Sequence, residues 1–590
     1  MGGCAMHKSE TVWKLIAKKP CAALTAALIV MIQAVINVSE VIILEHFIDN
    51  FSNLHWMQCA FFAGVIAAIY AFYYIQTPLL GYLNDKICIQ LRIHLERAVV
   101  GKTARISMTA LEDADHQALL ARLRDEPEKR YAQGFFSVLQ ILGGTAGTVG
   151  ILMLIINNAP FYLLVIFLLL GLMVLVFRLI GKSKAAMYQT RQEISRRGDY
   201  LSGLLFDRHL AQEKKLFGYT HFIQKLYEEE TIRSGRQLIR NVLISNMILW
   251  VYDNITFLFS ASAYLVLLVP LYRGEIDIGL YLAVIPALTR LGAFFVEVGS
   301  KHYPAYQEYR ACLADLEKLN ALPEQYYVHE EENSVPPDFH VIKGENIVFR
   351  YPGQKEPILN GLNFTFQAGK NYALVGENGC GKSTLIKLLM GFYQPDSGSI
   401  TIDGVNIQEL GFAKVQQYFS AVFQDFNRYD YTIKENIFIS SLEKESPGDA
   451  IHRAAREAEM DTWILSNPDV YDTKLGDLED GGIDLSGGQW QRLAIARMLY
   501  RKAGIYIWDE PAAAMDPLAE SRLYADFLHK RSERCANIFV THRLGAAVKA
   551  DEICVLENGR FVEQGNHAQL LQEKDGLYHR MFQTQKGMYE

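Results

Sequence analysis

The sequence predicts two folds in one chain: an all-α bundle of membrane-length helices, then an α/β domain on a buried parallel sheet. Three observations predict it. Residues 20 to 300 carry six long apolar stretches; Ala321–Pro337 is polar and broken by prolines; and NYALVG runs straight into GENGCGKST and LIKLLMG. Strand, glycine loop and helix in that order aim backbone N–H groups at an anion. A chain of 590 residues also suggests more than one domain. The expected division is an amphipathic elbow-like lead-in at 1–20, a membrane domain at 21–320, a linker at 321–338 and a nucleotide-binding domain at 339–590.

A helix crosses a bilayer with about 20 mostly apolar residues. Six stretches satisfy this, at 21–46, 58–83, 134–157, 160–181, 241–270 and 278–300. Phe161–Phe177, FYLLVIFLLLGLMVLVF, shows that these are not buried helices of a soluble protein. Lys and Arg placement sets the orientation. Segment 84–131 holds Lys86, Arg92, Arg97, Lys102, Arg105, Arg122, Arg124, Lys129 and Arg130, and 182–240 is similarly basic. The opposite loops carry only Arg273, so both chain ends and both long connections are expected in the cytoplasm. Each connection is long enough for two helices of about 24 residues, reaching roughly 35 Å below the bilayer. Their tips are expected at Leu111–Arg122 and Glu213–Leu226, where apolar and charged residues mix as a docking surface requires.

Polar residues inside spans are costly and need a reason. Gln33, Asn37 and Glu40 share one helical face, Asp253 lies in the fifth span, and Arg290 and Glu297 share a face of the sixth. They read either as a facing ion pair or helix-end snorkelling, or as the wall of a polar translocation cavity. The net charge of −7 is small for this length and does not point to a nucleic-acid partner. Eight cysteines without CxxC or metal-ligand spacing read as reduced thiols rather than a disulfide frame.

In the soluble half, HVIKGENIVFRY and LNFTFQAGKNYALVG alternate as strands. The loop after them supplies Gly376, Asn378, Gly379, Cys380, Gly381, Lys382, Ser383 and Thr384. Lys382 suits the β/γ-phosphate oxygens, and the Ser383 hydroxyl suits Mg²⁺. IYIWDE is an apolar strand ending in two acids: Asp509 fits a metal-supporting carboxylate, and Glu510 fits a group that polarises an attacking water. IFVTHR ends another apolar strand on His542, where catalytic side chains sit in open α/β sheets. Cys380, inside the phosphate loop, is either a redox-sensitive brake or a tolerated small residue.

A second glycine turn, DLSGGQWQR, has no lysine. Ser486 is a good N-cap, and Gly487 and Gly488 permit close phosphate approach. Such a turn suits the second wall of a pocket whose first wall comes from another copy of the domain.

In this order, GENGCGKST, LSGGQ, IYIWDE and VTHR resemble the ATP-binding cassette domain. With membrane helices ahead of it, nearly the whole chain resembles an ABC exporter half-transporter. The resemblance implies a six-helix all-α transmembrane exporter domain (the ABC transporter type 1, or type IV exporter, fold) followed by an α/β P-loop NTPase domain. It further implies two ATP molecules with Mg²⁺, each held between one protomer's P-loop and the other's Ser486, Gly487, Gly488 and Gln489. By position, Tyr351 would stack on adenine, Gln424 would contact Mg²⁺ and the membrane domain, and Asp516 would match the D-loop, here AAAMDP. TKLGDLEDGGID ahead of LSGGQ departs from the usual exporter ending. Intact motifs fit a homodimer, with a heterodimer as the alternative, in a plasma membrane of bacterial type. ATP binding would close the cassettes and open the cavity outward, and hydrolysis would reset it. AQEKKLFG, VFQDFNRYDYTIKENI and the tryptophan of SGGQWQ lean toward exporters of lantibiotic-type peptides, though no cysteine-protease segment for leader cleavage precedes the first span. The alternatives are a multidrug or lipid exporter and, from another class, an ATP-gated channel or non-transporting regulator.

Overall fold

The computed structural model describes residues 20–124, 126–158, 171, 197–198, 200–207, 210–274, 276–325, 339–442, 447–476, 481–510, 534–542 and 544–586. The lead-in expected before residue 20, the span at 160–181 apart from Gly171, and most of the linker lie outside the described residues. Two compact units emerge. One runs from the first described residues to Ala104 and from Gln117 to Ala321; the other joins Arg105–His116 to Leu322 and everything after it.

In the first unit, α1 (Pro20–Ser52) and α2 (Trp56–Thr103) contain the first two expected spans. After the short α3 (Met108–Leu111) and α4 (Ala114–Arg124), the third span lies in α5 (Pro127–Asn158). A seven-residue α6 (Ala211–Phe217) precedes α7 (Thr220–Tyr272), which contains the fifth expected stretch, and α8 (Ile278–Glu297), which contains all but the last three residues of the sixth. Beyond α8 a π-helical turn, Val298–His302, leads into α9 (Tyr303–Ala321). By length and composition, three helices among the described residues can cross a membrane: Cys21–Ser52, Trp56–Thr103 and Pro127–Leu154. With 48 residues, α2 spans about 72 Å, far more than a hydrocarbon core needs.

The helices approach through small residues, because lipid supplies little hydrophobic drive between them. Gly143, Gly147 and Gly150 on α5 lie over Val30, Ala34 and Val38 of α1, and a Cβ on Gly143 would strike the Val30 side chain. On Gly144 it would strike the Phe294 ring of α8.

Both tips differ from expectation. The Asp113 carboxylate accepts from the backbone N–H groups of Asp115, at 2.9 Å, and His116, at 3.1 Å, so it starts a new helix inside the stretch read as one piece. Residues 105–116 group with the soluble unit, and Gln117–Ala321 with the membrane unit. At the second tip, Gly218 adopts φ +65° and ends α6 ahead of α7. The Lys214 ammonium donates to the carbonyls of Leu204, Leu205 and Asp207 at 3.1, 2.7 and 3.1 Å, satisfying acceptors that a helix end leaves open.

The soluble unit contains two sheets. An antiparallel one, in order β2-β1-β4-β5, is built from β1 (Val341–Phe349), β2 (Leu359–Gln367), β4 (Ser397–Ile402) and β5 (Val405–Asn406). The larger runs β10-β9-β3-β8-β7-β6, from β3 (Asn371–Val375), β6 (Phe419–Val422), β7 (Ile505–Asp509), β8 (Ala536–Val540), β9 (Glu552–Glu557) and β10 (Arg560–Gly565). In it β9, β3, β8, β7 and β6 are parallel. Every residue of β3 and β8 is buried, as a strand covered on both faces requires. Against this sheet pack α10 (Lys382–Leu389), α11 (Gly487–Tyr500) and α12 (Leu577–Lys586).

Candidate active site

Strands β3, β8 and β7 lie side by side, with Leu374 opposite Val540 and Val540 opposite Asp509. Their carboxyl ends are therefore level, and the segments leaving those ends meet in one crevice. The glycine loop leaves β3, Asp509 and Glu510 end β7, and His542 lies just past β8.

The loop's conformation requires its glycines. Gly376, Gly379 and Gly381 have φ of 153°, 81° and 111°, a region hostile to a Cβ. A Cβ on Gly376 would strike the Leu556 carbonyl, and one on Gly381 would come within 2.7 Å of Leu359 Cδ2. Lys382, the first residue of α10, is buried. Its ammonium donates to the carbonyls of Gly376, at 2.8 Å, and Glu377, at 2.9 Å, and lies 3.8 Å from Cys380 Sγ. A buried cation that curls back onto its own loop fits a phosphate group, which would offer it charged oxygens. Burial pushes the Cys380 thiol up against the nearby Lys382 charge, which disfavours the reactive thiolate. Asn378, Gly379 and Ser383 are exposed, while Thr384 is buried with its hydroxyl 3.3 Å from that of Tyr351.

Asp509 is buried, and desolvation, with Glu510 beside it, raises its pKa from 3.8 to about 6 against the pull of Lys382. A carboxylate driven that far up is a ready ligand for a divalent cation, whose charge would offset the desolvation. Because the folded value is raised, the stability that Asp509 contributes is full below pH 3.8 and lost as pH rises through about 6. In the full chain without nucleotide or magnesium, wild-type stability should fall by about 2 kcal/mol relative to Asp509→Asn between pH 4 and 7. Thermal unfolding against pH checks this, and parallel curves for the two proteins would refute it.

Glu510 adopts φ +49°, uncommon outside glycine and costly to hold. Its backbone N–H donates to the Val540 carbonyl at 3.0 Å, and its carboxylate meets His542 Nε2 at 2.5 Å. Burial first, then Lys382, lowers the His542 pKa, while Glu510 opposes the shift. Lys382, Asp509, Glu510 and His542 thus form one cluster within the chain.

The other candidates lie elsewhere. Gln424 is exposed just past β6, next to Asp425, whose charge is felt at Asp509. Ser486 caps α11: its hydroxyl accepts from the Gln489 N–H at 3.4 Å while the Gln489 side chain accepts from the Ser486 N–H at 2.9 Å. Gln489 is thereby committed to the cap, and Ser486 and Gly487 stay exposed beside half-buried Gly488. Trp490, the unusual tryptophan, is buried, and its indole N–H donates to Asp484 at 3.2 Å. Asp516 lies outside the described residues.

Tyr351 sits edge-on to Phe349 and Tyr393, with the Lys387 ammonium 5.4 Å from its ring centre. Lys387 also pairs with Glu112 at 3.7 Å. Sequence reasoning missed this link, and it missed Gln325. The Gln325 backbone N–H donates to the Arg105 carbonyl at 2.7 Å, and its side chain accepts from the Met108 N–H at 3.4 Å. That side chain also donates to the carbonyls of Gly391 and Phe392, at 3.1 and 3.3 Å, just past α10. No periodicity marks such long-range partners.

In the membrane unit, Gln33, Asn37 and Glu40 of α1 are each engaged. Gln76 donates to Gln33 at 2.6 Å, and the Tyr73 hydroxyl is 2.8 Å from Asn37 and 3.1 Å from Glu40. Arg290 does not pair with Glu297. It forms a two-pronged ion pair with Glu40, one contact at 2.6 Å, because α1 presents that carboxylate directly across from α8. Glu297 instead meets Lys301 at 3.3 Å and His302 at 3.5 Å in the π-helical turn. A cavity of about 320 Å³ opens beside these groups, lined by Gln33, Asn37, Tyr73, Gln140, Arg290 and Glu297 among others. The Asp253 side chain lies outside the described residues.

Residues 359–513 match the ABC transporter family. Over 538 residues the chain is 27% identical to the subtilin transport ATP-binding protein SpaT of Bacillus subtilis, covering 91% of this chain and 85% of that protein. It is 29% identical over 518 residues to the nisin transport ATP-binding protein NisT of Lactococcus lactis subsp. lactis, with 86% and 85% covered. An ATP-dependent lipid A-core flippase of Aromatoleum aromaticum is 32% identical over 355 residues, 60% of this chain and 57% of that one. A bacterial Atm1-family ABC exporter solved with ATP bound matches with a TM-score of 0.79 at 23% identity, over 98% of this chain and 99% of that one, a likeness of fold. The chain therefore carries the ATP-binding domain of the ABC transporters behind a helical membrane region and is an ATP-hydrolysing transporter with the fold of an ABC exporter.

Proposed function

We propose that two copies of this chain export a lantibiotic-type peptide across the plasma membrane by alternating access, with both termini in the cytoplasm. The reading rests most on one observation: Lys382, Asp509, Glu510 and His542 converge where three parallel strands end, while the Ser486 turn stays exposed and joins in none of their contacts. A complete phosphate site then takes its second wall from a partner's Ser486, Gly487, Gly488 and Gln489, with Asp516 beside it. Gly376 through Thr384 hold the phosphates and Tyr351 the adenine. Ser383, Asp509 and Gln424 hold Mg²⁺, which would neutralise charge building on the phosphoryl oxygens. Glu510 polarises the attacking water, and His542 fixes that carboxylate by hydrogen bonding. We assign residues 21–320 to transport and 339–590 to ATP hydrolysis.

The likeness to the subtilin and nisin transport proteins along most of both chains supports a peptide cargo. The cavity beside Arg290 and Glu40, with amide, hydroxyl and charged groups together, suits a peptide better than a lipid tail. A lipid cargo is the second reading, favoured by the flippase match. ATPase activity in liposomes, measured against peptide, lipid and dye panels, separates them: stimulation by lipid alone ends the peptide reading. For the dimer, cysteines placed at 383 and 486 should crosslink between copies when Glu510→Gln is loaded with ATP. No crosslink in a preparation shown to retain bound ATP would sink the shared site.

A further inference from the structure

The C-terminal helix is fastened to the loop that carries His542. At its start, the Glu563 carboxylate on β10 accepts from the backbone N–H groups of Leu577 and Tyr578, the latter at 3.0 Å. Along its length, Tyr578 is fully buried, and Met581 and Phe582 pack on the same cluster. The His567 ring lies 2.7 Å from the Tyr578 hydroxyl and edge-on to Phe582. Tyr578, Phe582 and Gln585 recur at helical spacing, so the face that anchors α12 also presents Gln585.

Gln585 takes both sides of the loop after β8. Its side-chain amide donates to the His542 carbonyl, and its side-chain carbonyl accepts from the Leu544 N–H at 3.0 Å. A primary amide can donate and accept at once, and one partner of each kind sets its orientation. His542 in turn meets Glu510, whose left-handed backbone needs support from its surroundings. A continuous chain of contacts therefore runs from α12 through Gln585 and His542 to Glu510.

We propose that Gln585 is a positioning residue for ATP hydrolysis, holding the His542 loop at the height where the imidazole meets Glu510. The proposal rests on the reading of Glu510 and His542 as hydrolytic groups. It places the α12 surface in line with the site, so whatever shifts that helix changes turnover without touching nucleotide.

The test uses the full chain in liposomes. Gln585→Met keeps the side chain's bulk and removes both hydrogen bonds, while Gln585→Glu keeps the acceptor and sets a carboxylate against the His542 carbonyl. Gln585→Met, which loses both hydrogen bonds, and Gln585→Glu, which loses one and gains a repulsion, should each lower kcat about tenfold, with KM for ATP within about twofold and Tm nearly unchanged. A structural role alone would lower Tm and leave the kcat of the folded fraction intact, which overturns the proposal. His542→Ala is measured alongside. If it is inactive while both Gln585 variants turn over normally, only the positioning proposal fails. If it is fully active, the reading of the site itself fails and takes the proposal with it.

Discussion

Glu510→Gln is expected to hold ATP and to stop turning it over, with the rate down roughly 100- to 10,000-fold, the range for a lost general base. The substitution isolates chemistry from folding. An amide has the size of the carboxylate, keeps a hydrogen-bonding atom toward His542, and meets the same backbone cost at φ +49°. Lys382→Ala should fail earlier, because it removes the cation that the loop cradles and with it nucleotide affinity. Binding of a fluorescent ATP analogue and phosphate release, measured on the same preparations, separate the two defects. Normal turnover by Glu510→Gln would remove that residue from its role.

Arg290→Met should destabilise the membrane unit by about 3–5 kcal/mol, the cost of leaving a buried ionic partner alone. Glu40 has only 8% of its surface exposed, and Arg290 is its two-pronged counter-ion. The double variant Glu40→Gln, Arg290→Met removes both charges and should recover most of the loss. Unfolding in detergent compares them, and a single variant no less stable than the double would show that the pair does not hold α1 to α8. A stable double variant without transport would give the pair a part in cargo handling too.

The phosphate loop, Asp509, Glu510 and His542 were legible in the sequence because each motif is local: a strand, a turn and the residue beyond it. Level strand ends then bring the pieces together, and apolar strands such as IYIWD and NIFV announce such a sheet. Polar residues at helical spacing in α1 were legible as one face, but their partners were not. Glu40 and Arg290 are 250 positions apart, whereas seven-residue spacing showed only that Arg290 and Glu297 share a face. The first tip was misplaced because Asp113 reads equally well as a solvated helical residue and as a cap. Gln585 carried no signal, since a glutamine near the end of an amphipathic helix is ordinary until its two partners are seen.

Arg105–His116, grouped with the soluble unit, bears on how the chain is made. Met108 leaves the ribosome long before Gln325, 217 positions later, whose side chain it meets. At about 5–20 residues per second, that interval is roughly 10–40 s. During it, the apolar and charged groups of the tip have no cassette to rest on while neighbouring helices enter the bilayer. The nascent membrane half therefore waits on translation of its own downstream sequence, and a pause near residue 325 would prolong its exposure to quality-control proteases.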